Sequence, residues 1–319
     1  MNLFKTKLSI IAVAILLLSS CFTLHAKQLS YKKKAAGSEY QFRLSWLDAL
    51  QKNQQIDFTL PSKQLFSSYR SFKTYQPQHA VNFVQKQLVK KLRNKPFPQV
   101  SIKFSGNSTS VNLSGSSPEA IANAQQQIAQ WESSALSTYL EKNFYHQFVT
   151  VDGSVAIKPD HVRIARESAE IFKPLKQTII DSVAAKKIRD VSDYVINMIQ
   201  AIPYSTLESR QTSSGAGFNV PTKVIWENQG DCDSKMTLAG AMLRAVMPRL
   251  NMVFVYLDNH ALMGIAVNQQ AGDITIQDEN GVVYVLADPT GPVQMNIGQL
   301  TFDVQQAINA GHYTIEAFK

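Results

Sequence analysis

Residues 228–247 read NQGDCDSKMTLAGAMLRAVM, and the fold is decided there. From Cys232 to Met247 there is no proline and a single glycine, and apolar side chains recur at Met236, Ala239, Leu243, Val246 and Met247. That spacing predicts a buried helix, with Asp231 placed as its N-cap and Pro248 as its stop. A thiol in the first turn of a helix feels the positive end of the macrodipole, which favours the nucleophilic thiolate. Asp231 and Asp233 oppose this, because neighbouring anions raise a thiol's pKa. Cys232 therefore needs a cationic partner, most simply a histidinium, to become reactive.

Downstream, His260 opens the run HALMGIAV, and Asp288 follows VVYVLA in DPTGP. Taken alone, a cysteine in an apolar helix is a small core residue. The three pieces together, Gly230-Asp231-Cys232, His260-Ala261 and Asp288-Pro289-Thr290, resemble the transglutaminase-like branch of the papain-like cysteine enzymes. The upstream segment VINMIQAIPYS is similar to the helix and exit turn ahead of the catalytic region in bacterial members. The resemblance spans roughly residues 185–295. It implies an α+β fold in which a helix carrying the cysteine packs on an antiparallel sheet carrying the histidine and aspartate. It also implies a Cys232-His260-Asp288 triad that opens amide bonds through a thioester. The second donor of the oxyanion site falls by position on Gln229 or Trp226, either of which also serves as packing at the helix entry.

Residues 1–26 have the form of a secretory signal, with Lys5 and Lys7 ahead of the apolar run LSIIAVAILLL. Two processing sites compete. Leu18-Ser19-Ser20-Cys21 resembles a bacterial lipobox that makes Cys21 a lipidated N-terminus, and cleavage after Ala26 releases a soluble protein. Either route places the chain outside the cytoplasm, in the periplasm or anchored at the outer membrane. Cys232 is then the one cysteine with a free thiol, in a compartment where cysteine pairs become disulfides.

Charge divides the chain. Residues 27–150 hold 16 Lys and Arg against 6 Asp and Glu, and residues 151–319 hold 14 against 18. The basic half is a solvated face or is drawn to anionic envelope material. No nucleic-acid motif with interleaved aromatics appears, and His and Cys are scattered singly, so no nucleic acid, metal cluster or cofactor is expected. Asp273 and Asp278 offer carboxylates either to calcium or to ordinary turns.

The expected organisation is a signal segment, a basic α/β domain over 27–150 and a transglutaminase-like domain over 151–319. Residues 27–38 read as a flexible basic tether and YQFRLSWL as a half-buried strand. A helix over 78–94, a hairpin over 99–113 turning at Gly106-Asn107, and a helix from Ser117-Pro118 to about Tyr145 follow. Residues 147–158 read as a turn region. Helices follow from about Asp160 to Lys173 and from about Leu175 to Ile202, and the polar stretch 205–220 is a loop, either lid or connector. MVFVYL, ALMGIAV, DITIQ and VVYVLA are strands. In a plain meander of four full strands His260 and Asp288 would sit at opposite edges, so a triad requires DITIQ to be a short edge ribbon.

Among histidines, His161 and His312 are alternatives to His260 but suit core or surface roles. These features suit an exported cysteine peptidase or amidase acting on a protein or peptide. A protein cross-linking acyltransferase, a non-catalytic binding module on the same fold and an envelope scaffold stand as alternatives.

Overall fold

The computed structural model describes residues 27–318 apart from 68–69, 71, 107 and 209–216. The expected signal segment with Cys21, the turn residue Asn107 and the middle half of the loop 205–220 therefore lie outside the described residues. The architecture is α+β, with antiparallel pairing in every sheet.

The chain opens with a three-stranded meander, β1 (Gln28–Ala36), β2 (Glu39–Leu47) and β3 (Asn53–Pro61). Along β2 and β3 the side chains alternate, so Phe42, Leu44, Trp46, Ile56, Phe58 and Leu60 are buried on one face. The expected tether over 27–38 is corrected. Its backbone pairs with β2 from Gln28↔Trp46 to Ala36↔Glu39, and Gly37 supplies the positive φ of the turn between them. Lys32, Lys33 and Lys34 sit on an exposed edge strand, where lysines guard against unwanted pairing, and this made the strand look like a linker.

A short helix α1 (Ser62–Ser67) leads to α2 (Pro77–Asn94), the ribbon β4 (Val100–Phe104) with β5 (Val111–Gly115), and α3 (Pro118–Lys142). Ser117 caps α3 by accepting from the Ala120 N–H at 3.2 Å. Ala80, Val84 and Leu88 fall one turn apart on α2, and Val84 and Leu88 close a small core with Ile128 and Ala135 of α3.

Residues 147–158 are a hairpin rather than a turn region: β6 (Tyr145–Val149) pairs with β7 (Val155–Pro159) around Gly153. Next comes α4 (His161–Phe172), capped by Asp160. The helix expected over 175–202 is two, α5 (Leu175–Ser182) and α6 (Ile188–Gln200). Val183 turns extended and Lys186 adopts φ +52°, which no α-helix accommodates. The apolar rhythm on either side concealed the break.

Helix α7 (Pro221–Glu227) and α8 (Cys232–Val246) precede the strands β8 (Met252–Leu257), β9 (His260–Ile265), β10 (Thr275–Gln277) and β11 (Val283–Ala287), then α9 (Phe302–Asn309) and β12 (Thr314–Phe318). These strands form one sheet in the order β10-β11-β9-β8-β12. β10 is a three-residue edge ribbon, so β11 lies directly beside β9 with Ala287 opposite Met263. That adjacency is what the topological argument from sequence required.

Helix α8 lies on this sheet and approaches it closely at Gly240, where a Cβ would come within 2.7 Å of the Phe254 ring. One large core unites β2 and β3 with α4, α5, α6, α8 and the inner face of this sheet. The β1–β3 sheet thus shares its interior with the helix that carries Cys232, whereas α2 and α3 enclose their own.

Candidate active site

Three segments converge at the start of α8. The Asp231 carboxylate accepts from the Ser234 N–H at 3.0 Å, capping the helix as expected. Ahead of it, Gly230 forms a parallel bridge with Tyr204 and donates to the Pro203 carbonyl at 3.3 Å. A Cβ at Gly230 would press on Ser234, Lys235 and Val224 at 3.2 to 3.4 Å, so a bare backbone fits this passage best. Cys232 emerges from it partly buried.

His260 opens β9, and Asp288 leaves β11 one residue past Ala287. Because these strands are adjacent and antiparallel, the start of one lies near the end of the other. His260 Nε2 and Asp288 Oδ2 are 2.7 Å apart. Asp288 is itself fixed: its Oδ1 accepts from the Thr290 N–H at 2.9 Å and its backbone carbonyl accepts from Gln200 Nε2 at 2.7 Å. With Nε2 donating to the carboxylate, Nδ1 of the neutral imidazole carries the lone pair.

Cys232 and His260 line one cavity of about 510 Å³, together with Asp233, Lys158, Tyr256 and the turn of the β6–β7 hairpin. The Cys232 sulfur lies 3.9 Å from Asp233 Oδ1. Burial, then the Asp233 and Asp231 charges, push the thiol from its ordinary 9.0 up to about 12, against hydrogen bonding from the Asp233 and Ala261 backbone. With the pKa raised this far, the resting sulfur is a neutral thiol. For His260, burial works against the imidazolium. The Asp288 hydrogen bond and the Asp288 and Asp233 charges outweigh it, and the net shift is upward.

Asp233 looks the other way as well, with Oδ2 3.8 Å from His161 Nε2. His161 is fully buried, with Nδ1 3.1 Å from the Tyr256 hydroxyl. Burial first, then Lys158 and His146, hold it well below its ordinary range, so it stays neutral and supplies no cation to the thiol. Lys158 pairs with Glu316 at 2.9 Å. His312 is exposed beyond α9.

The two oxyanion candidates have contacts of their own. Trp226 stacks under Lys33 at 3.9 Å and meets Tyr40 and Phe66 edge-on, tying α7 to the first sheet and α1. Gln229 Nε2 donates to Glu227 at 3.3 Å. Neither lines the cavity shared by Cys232 and His260. Asp273 is engaged by Arg189 at 2.5 Å, and Asp278 accepts from the Asn280 and Val282 N–H groups in its turn. Among the described residues no group of three or more His, Cys, Asp or Glu is placed to hold a metal ion.

Two parts of the site escaped the sequence reading. Gln200 looked like one more residue of a helix. Lys235 interrupts an apolar face one turn after Cys232, and that interruption was the available signal.

No protein-family model, no curated protein and no solved structure matches this chain. The resemblance to transglutaminase-like enzymes therefore rests on the three short motifs and their placement.

Proposed function

We propose that the protein is an exported cysteine peptidase or amidase, with α8 and the β10-β11-β9-β8-β12 sheet serving as a papain-like, transglutaminase-like catalytic domain. The observation that carries the reading is the 2.7 Å His260–Asp288 pair, whose imidazole lines the same cavity as Cys232. His260 Nδ1 takes the thiol proton as the sulfur adds to the amide carbonyl carbon. The imidazolium, steadied by Asp288, then returns that proton to the leaving amine as the C–N bond breaks, leaving a thioester. Water attacks next, with His260 accepting its proton, and the acid leaves as the sulfur regains a proton. An amine in place of water would give cross-linking by the same first half. The Cys232 backbone N–H is the donor available to the oxyanion at the helix start.

Iodoacetamide labelling across pH tests this. A thiol of wild type that reacts faster than that of a His260→Ala variant supports the hydrolase. Equal, slow labelling of both sinks it.

One observation favours a second reading, a non-catalytic binding module: the thiol is held neutral by burial and by two carboxylates rather than poised as an ion pair. The same labelling series separates the two. Export through residues 1–26, with lipid attachment at Cys21 or cleavage after Ala26, belongs to the proposal. Mass spectrometry of the mature N-terminus decides between them.

A further inference from the structure

Lys235 is fully buried, and a lysine in that position is costly to a fold unless its ammonium is satisfied. A methionine of similar shape would pack the same volume without that cost. The ammonium donates to two backbone carbonyls, Ile202 and Thr290, each at 2.5 Å. Both belong to segments of the candidate site. Thr290 is the residue whose N–H donates to Asp288 Oδ1, and Ile202 stands at the exit of α6, next to the Pro203 carbonyl that receives the Gly230 N–H.

We infer that Lys235 is a positioning residue: its side chain pins the Asp288–Thr290 turn to the helix that carries Cys232, and so fixes the carboxylate that orients His260. The inference rests on the roles proposed above for His260 and Asp288.

The geometry forms a single chain of contacts. Lys235 holds the Thr290 carbonyl, the Thr290 N–H holds one Asp288 oxygen, and the other oxygen meets His260 Nε2. Gln200 braces the same turn from the other side through the Asp288 and Met295 carbonyls. Gly291 completes it: at φ +66° a Cβ there would lie 2.6 Å from the Gln200 carbonyl oxygen, so the turn closes tightly on α6. The Asp288 and Asp231 charges favour the protonated lysine, while burial, the larger influence, draws it down to about 7. Near neutral pH the clamp is therefore sensitive to any change in those carboxylates.

A field effect and a positioning effect predict opposite signs at His260. Deleting a nearby cation would by itself ease protonation of the imidazole and raise its midpoint. Loosening Asp288 removes the hydrogen bond that favours imidazolium and lowers it. NMR titration of the His260 imidazole in the full chain, assigned by difference with His260→Ala, reads the sign directly.

In Lys235→Met the midpoint is expected to fall by about one pH unit, the size of one good charge-assisted hydrogen bond. Lys235→Arg, which keeps charge and donors, should stay near wild type. If the methionine variant does not fold, Lys235→Gln against Lys235→Arg decides, with the glutamine variant expected lower. A midpoint that is unchanged or raised in the uncharged variants, even with a lower melting temperature, overturns the inference. Labelling of wild-type Cys232 that ignores His260 would sink the hydrolase reading on its own, and the shift between Lys235 variants would still be read.

Discussion

Replacing Asp233 by Asn should make Cys232 more reactive, because it deletes the like charge nearest the sulfur while leaving the side chain's shape. Asp233 Oδ1 lies 3.9 Å from Sγ. Two unit charges about 4 Å apart interact by roughly 4 kcal/mol at an effective dielectric near 20. The Asp233 side chain keeps 36% of its surface, and Lys158 and His260 already offset part of its charge, so solvent and neighbours discount the figure heavily.

A net effect of about 1.4 kcal/mol remains reasonable, equal to about one unit of thiol pKa. At pH 8 only a small thiolate fraction reacts, and that fraction would rise about tenfold. The lower basicity of the new thiolate trims its intrinsic nucleophilicity, leaving a gain of roughly threefold in the alkylation rate. The assay is the second-order rate with iodoacetamide from pH 7 to 9, read by intact mass. A rate equal to or below wild type would refute the electrostatic account of this thiol.

The remaining expectations concern the frame. A chain starting at residue 37 loses β1 and with it the Tyr31 hydroxyl bond to the Ile225 carbonyl at 2.6 Å, so its melting temperature should fall; an unchanged value would mean residues 27–36 are a tether after all. Gly240→Val should cost about 1–3 kcal/mol in urea denaturation, because its Cβ already meets the buried Phe254 ring. Trp226→Ala should lower stability by about 3 kcal/mol in urea denaturation, because its ring packs edge-on against Tyr40 and Phe66; an unchanged midpoint would refute that packing role.

Burial lifts the carboxyls of Asp193 and Asp231 from 3.8 to about 6. The folded state then holds protons that the unfolded chain has released between those values, so these groups make stability fall as pH rises from about 4 to 6. His260, also raised, acts in the same direction above its ordinary 6.5. Urea midpoints against pH should show that decline, flattened in Asp193→Asn.

Much of the site's frame was legible because it depends on local rules. The apolar spacing after Cys232 and the Asp231 cap specify α8, and the need for His260 and Asp288 to meet demanded that DITIQ be a short edge strand. What escaped depended on partners distant in sequence. Lysines at 32–34 hid β1, since only the neighbouring strand β2 reveals that their backbone is paired. Trp226 looked like a neighbour of the cysteine, but residues 33, 40 and 66 claim its ring from the far side of the core. The break between α5 and α6 lies in a backbone conformation at Lys186 that side-chain periodicity does not encode. Lys235 was visible only as an anomaly, because its two acceptors are main-chain oxygens and carry no sequence signature.

A sulfur kept in its protonated form by burial and two flanking anions also reacts slowly with peroxides and with stray disulfides, since those reactions need the thiolate. Wherever oxidants abound, a cysteine of this kind has a built-in preservative. Its chemistry is then limited by how readily the proton can leave the sulfur.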